Sequence, residues 1–313
     1  MNKIAFIFPG QGSQHVGMAK AFYESFAIAK RILDEANEVL GMDLTGLMFR
    51  GPEEKLSSTE NTQPALLCAS IAALEAFKER VSITPHFFAG HSLGEYTALV
   101  AGGSLSYRDG LRLVCLRGIF MKESVSNVEG RMCAVIGLGL DTIKEVCIES
   151  SAKGSVVVPA NINSPEQVVI SGHREAVERA GRLAKDKGAK RVIPLLISVA
   201  SHSPLMASAS ARLKVELQKT GFKESCAPVV TNVEASPNSD HFRVPELLSR
   251  QLTSPVRWVE SVRTMKALGV DCMIEIGPGK VLSGLVKRID AEISIYNIAE
   301  PADIEKVITA IGS

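Results

Sequence analysis

Residues 89–103 read Ala-Gly-His-Ser-Leu-Gly-Glu-Tyr-Thr-Ala-Leu-Val-Ala-Gly-Gly, with Ser92 flanked two residues away on each side by Gly90 and Gly94. The apolar run at 85–89 reads as a buried strand, and the helical spacing of Leu93–Ala101 ends at Gly102-Gly103. Gly-x-Ser-x-Gly between a strand and a helix is the pattern of a nucleophile elbow, which exposes a serine hydroxyl on a sharp turn. The plainer alternative is a serine capping a helix. The two glycines favour the chemical reading because they permit both the turn and close helix–strand packing. The helix N-terminus adds free N–H groups, and that of Leu93 is best placed to meet an oxyanion. Ser92 is the candidate nucleophile.

A serine needs a base, and the chain has six histidines. His91 adjoins Ser92, so its side chain is expected to point elsewhere. His86 lies at the far end of the strand, and His15 lies in the first loop. His173 opens a charged helix, and His241 sits in the polar stretch Asn238-Ser239-Asp240-His241. His202 follows an apolar run and precedes Pro204, which puts it in a loop after a buried strand. A core or capping histidine is the alternative there; His202 is the favoured base. No acid stands at a strand tip between Ser92 and His202, where a hydrolase triad of this kind would place one. Asp109, Glu123, Asp141 and Glu175 all fall in helical patterns. That gap argues against an ordinary esterase, although a dyad oriented by a carbonyl would serve.

Two further features could touch a substrate. Pro9-Gly10-Gln11-Gly12-Ser13-Gln14 follows the first strand, but His15 occupies the third glycine position of a dinucleotide fingerprint and no acidic residue ends a second strand. The loop could instead bring backbone N–H groups to an acyl oxygen, with Gln11 between its glycines. Arg117 sits among Leu113-Val114-Cys115-Leu116 and Gly118-Ile119-Phe120-Met121. It is read either as a helix-edge arginine paired with a surface carboxylate or as a fork for a substrate carboxylate. The sequence leaves the two open.

The elements that must position these residues alternate. A strand at 3–8, helices near 16–29 and 64–79, the strand at 85–89, the elbow helix and a helix at 107–124 imply a parallel sheet covered by helices. Residues 127–196 break that rhythm. A strand at 132–138, a helix at 141–152, strands at 155–160 and 167–171 joined by a turn at 161–165, a helix at 174–187 and a strand at 191–197 give βαββαβ, a ferredoxin-like order. The α/β pattern then resumes, with helices near 204–219, 244–252 and 255–267, strands at 229–233, 272–276 and 293–298, and the helix Val281–Ile289. The expected fold is α/β. An α/β-hydrolase-like domain with a parallel sheet, residues 1–126 and 197–313, carries an inserted ferredoxin-like subdomain at 127–196.

Composition sets outer bounds. A chain of 313 residues, 46% hydrophobic and 22% charged, is ordinary for a globular enzyme. The net charge of +1 argues against a nucleic-acid binder. The run Ile4-Ala5-Phe6-Ile7-Phe8 is too short for a signal-peptide core or membrane span. Cysteines at 68, 115, 133, 147, 226 and 272 show neither zinc spacing nor a disulfide framework, so no metal is expected and a reducing cytoplasm is the natural location.

Taken in order, seven stretches resemble the malonyl-CoA:acyl carrier protein transacylase family of type II fatty acid synthesis. They are Phe8-Pro9-Gly10-Gln11-Gly12-Ser13-Gln14, Gly90-His91-Ser92-Leu93-Gly94-Glu95, Leu116-Arg117-Gly118, Asn161-Ile162-Asn163-Ser164-Pro165, Ser201-His202-Ser203-Pro204-Leu205-Met206, Gln251-Leu252-Thr253-Ser254-Pro255-Val256-Arg257-Trp258 and Glu275-Ile276-Gly277-Pro278-Gly279. The resemblance implies Ser92 as nucleophile, His202 as base and the Gln251 carbonyl as its orienter. It implies Gln11 and Leu93 as the oxyanion hole, Arg117 as the holder of the malonyl carboxylate, and Asn163 as an active-site residue of the insertion. Malonyl-CoA would be the donor and an acidic, phosphopantetheine-bearing acyl carrier protein the acceptor, with a monomer as the family default and no bound cofactor. Lys187, Lys190, Arg191, Lys287 and Arg288 are candidates for the docking surface. Ser201 is ambiguous by the resemblance: related polyketide acyltransferases carry Phe there for malonyl and Ser for methylmalonyl, but stand-alone members often carry Ser and use malonyl, so malonyl is the favoured reading. The rival reading is a serine hydrolase or thioesterase on a similar scaffold.

Overall fold

The strand β1 (Lys3–Phe8) reads Lys-Ile-Ala-Phe-Ile-Phe, apolar on both faces, as a strand covered by helices on two sides must. In the computed structural model, which describes residues 3–126, 128–195 and 199–312, it lies inside a six-stranded sheet. The other strands in chain order are β2 (Phe87–Gly90), β3 (Gly130–Ile136), β4 (Val157–Ser164), β5 (Gln167–His173), β6 (Arg191–Pro194), β7 (Val229–Val230), β8 (Pro237–Asn238), β9 (Val270–Ile276) and β10 (Ser294–Ile298). The large sheet runs β10-β9-β1-β2-β7-β8, parallel except for β8. Phe6 and Phe8 pack on one face with Phe77 and Phe88, while Ala5 and Ile7 pack on the other with Trp258 and Val286.

The second sheet is antiparallel in the order β4-β5-β3-β6, the arrangement of a ferredoxin-like unit. Helices Leu140–Ser150 and Arg174–Asp186 cover one face through Ile143, Val146, Val177 and Ala180. The proposed division of the chain falls at Asn127 and at Leu196 and Ile197, which lie outside the described residues, as do the last two residues of the expected strand 191–197. Strand β4 is tied by backbone to the segment before helix Trp258–Ala267: Ile162 N donates to Val256 O at 2.9 Å, and Val256 N donates to Ala160 O at 2.8 Å.

That tie explains one departure from expectation. Residues 161–165, rich in Asn, Ser and Pro, read as a turn, but Asn161–Ser164 continue β4 against β5, and the turn is Pro165-Glu166. Pairing on both sides overrides the local turn chemistry. The expected helix at 16–29 begins only at Lys20, because Gly17 and Ala19 take positive φ (96° and 61°) and Gly17 N bonds Met48 O. It breaks at Phe26, and a second helix runs Ala27–Leu40. The helix expected at 64–79 starts at Thr59 and carries Pro64 inside it. The expected strand 229–233 keeps two residues. Helices Leu93–Ala101, Tyr107–Ser124 and Val281–Ile289 stand as read.

Because β1 and β2 are parallel neighbours with Phe8 opposite Gly90, the loop after β1 and the elbow after β2 emerge side by side. The approach is close. A Cβ on Gly94 would stand 2.2 Å from Phe8 O, and one on Gly90 would stand 2.0 Å from the Gly94 carbonyl carbon. At Gly139, with φ −74°, a Cβ meets nothing within 4 Å. Gly94→Ala should therefore lower stability by about 2 kcal/mol or more, whereas Gly139→Ala should stay within about 0.5 kcal/mol of the parent, both read from urea midpoints.

Candidate active site

Ser92 takes φ 52° and ψ −104°, a conformation that side chains resist and that the elbow enforces. Its backbone N–H donates to Asn232 Oδ1 at 2.7 Å, and Asn232 Nδ2 donates back to Gly90 O at 2.7 Å. One asparagine thus brackets the elbow from Gly90 to Ser92. The side-chain hydroxyl projects from the end of β2 into a cavity of about 40 Å³ lined by Gln11, His91, Ser92, Leu93, Arg117, Met121, Met132, Asn161, Ser201 and His202.

His202 also carries a positive φ, 59°, and is 2% exposed. Its Nε2 lies 2.8 Å from Ser92 Oγ, and its Nδ1 lies 2.8 Å from Gln251 O. A carbonyl only accepts, so Nδ1 carries the proton and Nε2 is left as the acceptor for the serine hydroxyl. Burial, reinforced by the nearby Arg117 charge, pushes the imidazole down to about 3. The ring is therefore neutral through the ordinary pH range.

Arg117 is 1% exposed. Its helix Tyr107–Ser124 starts on Ser106, whose hydroxyl accepts from Asp109 N, and turns Arg117 inward with Leu113, Val114, Phe120 and Met121. Nη1 donates to Gln63 Oε1 at 2.7 Å, and Nη2 donates to Gln251 Oε1 at 3.0 Å and Ser92 Oγ at 3.1 Å. Nε has no hydrogen-bond partner among the described residues. The surface ion pair that was one reading of this arginine is not formed with any described residue; its direct partners are neutral oxygens. Ser92 Oγ accordingly accepts from Arg117 while donating to His202.

Gln11 and Leu93 border the cavity. Leu93 is the first residue of its helix, so its N–H has no carbonyl a turn earlier within the helix to take it. Gln11 is fixed by Thr59 Oγ1, which donates to its Oε1 at 3.1 Å. The structure thus gathers Ser92, His202, Gln11, Leu93 and Arg117 around one cavity, with Gln251 immediately behind. Asn163 is not in that lining. Its Oδ1 accepts from His91 Nε2 at 2.8 Å, and Asn161, two residues earlier on β4, reaches the cavity instead. His91 does turn from Ser92, as expected, with its ring edge-on to Trp258 at 5.8 Å, yet it still borders the cavity.

Gln63, Asn232 and the two methionines escaped the sequence reading. Gln63 and Asn232 are 1% exposed, and a buried amide in an apolar setting was the available signal. Glu275, singled out with Gly277-Pro278-Gly279, is structural: its carboxylate accepts from Leu282 N, Ser283 N and Ser283 Oγ, at the start of helix Val281–Ile289. Of the candidate docking cations, Lys187 pairs with Glu149 and Glu145, and Lys190 with Glu166. Arg191, Lys287 and Arg288 are exposed, with no ion-pair partner among the described residues. Among those residues no helix is long and apolar enough to cross a membrane.

The same arrangement of segments recurs in known proteins. The acyl transferase domain family matches residues 5–302. The malonyl CoA-acyl carrier protein transacylase of Bacillus subtilis (strain 168) is 48% identical over 311 residues, 99% of this chain and 98% of that protein. The crystal structure of an acyl carrier protein S-malonyltransferase from Vibrio cholerae superposes with a TM-score of 0.94 at 46% identity, over 97% of this chain and 99% of that one. A malonyl-transacylase solved in complex with its type II PKS acyl-carrier protein gives a TM-score of 0.96 at 44% identity, over 98% and 99%. The chain belongs to the acyl transferase domain family.

Proposed function

We propose that this chain transfers the malonyl group from malonyl-CoA to the phosphopantetheine thiol of acyl carrier protein through a malonyl-serine intermediate, supplying fatty acid synthesis. The observation that carries the reading is the Arg117 guanidinium, buried against neutral partners and bonded to the same Ser92 Oγ that contacts His202. A buried cation without a direct anion is costly, and a substrate carboxylate beside it recovers that cost. Full-length similarity to malonyl transacylases supports the same donor and acceptor.

In the first half-reaction His202 Nε2 takes the Ser92 proton as Oγ attacks the thioester carbonyl. The oxyanion is met by the backbone N–H groups of Leu93 and Gln11, each worth roughly 2.7–4 kcal/mol in the transition state. The C–S bond breaks, and coenzyme A leaves with the proton from His202. In the second half the pantetheine thiol gives its proton to His202 and attacks malonyl-serine, and Ser92 Oγ departs with that proton. Malonyl-CoA is the donor substrate, and no residue role calls for a metal. The Gln251 carbonyl keeps His202 in the tautomer that both halves need. Asn163 is assigned to holding His91 rather than to touching substrate. Arg191, Lys287 and Arg288 are the remaining docking candidates for an acidic carrier protein in the cytoplasm.

Intact-protein mass after brief mixing with malonyl-CoA or acetyl-CoA tests the assignment. Wild type should gain a malonyl adduct that clears faster with acyl carrier protein than with water, and Ser92→Ala should gain none. Rapid clearance to free malonate without acceptor would favour a hydrolase. Arg117→Ala should slow malonyl adduct formation by roughly 30-fold or more, the scale of a lost buried charge contact, and erase the preference over acetyl. The acylation rate should also stay flat from pH 8 to pH 5. An imidazole held down to about 3 remains unprotonated there, so rapid-quench rates should show no acid limb near the ordinary histidine value of 6.5.

A further inference from the structure

Behind the elbow lies a buried carboxylate that the reaction above does not use. Glu95 stands one helical turn after Ser92 and is 2% exposed. A single oxygen, Oε2, accepts from Gln251 Nε2 at 2.6 Å and from Asn232 N at 3.1 Å. Gln251 Nε2 also donates to Ser92 O at 3.0 Å, and Asn232 Oδ1 accepts from Ser92 N. The four residues close a ring around the nucleophile's backbone. From that ring two atoms reach Arg117 Nη2, Ser92 Oγ and Gln251 Oε1, and only the second belongs to an amide that could present either end.

We propose that Glu95 is the positioning residue for acyl-carboxylate selectivity: by accepting from Gln251 Nε2 it fixes which end of that amide faces Arg117, and so aims the guanidinium at the acyl cavity. An amide has one donor end and one acceptor end. A carboxylate acceptor on one side of Gln251 obliges Nε2 to face it, which leaves Oε1 for Arg117. With that acceptor withdrawn, Nε2 keeps only the longer bond to Ser92 O, the amide is held less firmly, and the guanidinium loses the fixity of one of its supports. Glu95 is kept from contact with Arg117 itself by the intervening amide, so it orients the cation without occupying the place of a substrate anion. Burial pushes the Glu95 carboxyl up to about 7, while its hydrogen bonds from Gln251 and Asn232 and the Arg117 charge favour the ionised form. The charged and titratable groups around it that bear on this are Arg117 and Tyr96.

This inference rests on the malonyl-serine reading, and two conservative variants separate them. Glu95→Gln keeps an acceptor oxygen at full reach without the charge. Glu95→Asp keeps the charge and withdraws the acceptor by one methylene, about 1.5 Å, beyond hydrogen-bond range of Gln251 Nε2. The readout is the ratio of kcat/KM for Ser92 acylation by malonyl-CoA to that by acetyl-CoA, measured by rapid quench and intact mass. E95Q should hold this ratio within threefold of wild type, and E95D should lower it at least tenfold, mostly through the malonyl KM. A fall of both donors by the same factor in E95D, or an E95Q ratio as low as that of E95D, overturns the positioning role. A wild type that shows no malonyl preference overturns the malonyl reading and this inference with it, whereas a normal wild type with an unaffected E95D overturns this inference alone.

Discussion

A buried guanidinium with no direct anion among the described residues is the constraint around which this molecule is arranged. Arg117 needs hydrogen bonds to be tolerated at 1% exposure, but a carboxylate bonded to it would satisfy its charge and leave nothing for a substrate. The fold meets both demands with neutral oxygens drawn from distant segments: Gln63 from the long helix Thr59–Lys78, Gln251 from the end of helix Val244–Gln251, and Ser92 from the elbow. The nearest carboxylate in the network, Glu95, is one amide away. The loop after β1 and the elbow after β2 are held side by side by the parallel sheet, while β3 and β4 bring Met132 and Asn161 to the cavity from the antiparallel one.

Strain is concentrated at the same place. Ser92 and His202 are two of the four non-glycine residues with positive φ among those described, and they are the two whose side chains meet at 2.8 Å. Positive φ in a β-substituted residue costs on the order of 1 kcal/mol or more, so each needs support. Asn232 supplies it at Ser92 by bonding both the serine N–H and the Gly90 carbonyl. Gln251 supplies it at His202 through its main-chain oxygen. Gln251 holds both His202 and Arg117, and Ser92 Oγ meets both, which makes selectivity and nucleophilicity properties of one network.

Local signals were enough for much of this. Gly90 and Gly94 announce the elbow because no other residue fits their contacts, and Leu93–Ala101 and Tyr107–Ser124 carry helical spacing and, at Ser106, a capping side chain. Ser92 and His202 followed from residue type and context, whereas the parts given to Arg117 and Gln251 depended on family resemblance. What sequence could not show is partnership across the chain. Ser92 and Asn232 are separated by 140 positions, and Arg117 and Gln63 by 54, so nothing near Asn232 or Gln63 marks them. The turn expected at 161–165 misled for a different reason: those residues have turn chemistry, and only pairing with β5 and Val256 makes Asn161–Ser164 strand.

The absent triad acid and the buried arginine are two sides of one solution. A carboxylate on His202 Nδ1 would raise the basicity of the imidazole, but it would also place an anion beside Arg117 and compete with the acyl carboxylate. A main-chain carbonyl orients the ring without either effect. The result is a weakly basic histidine, pushed down to about 3, next to a cation. On the proposed assignment, the carbonyl that orients the base therefore also leaves Arg117 without a competing anion, ready for the acyl carboxylate.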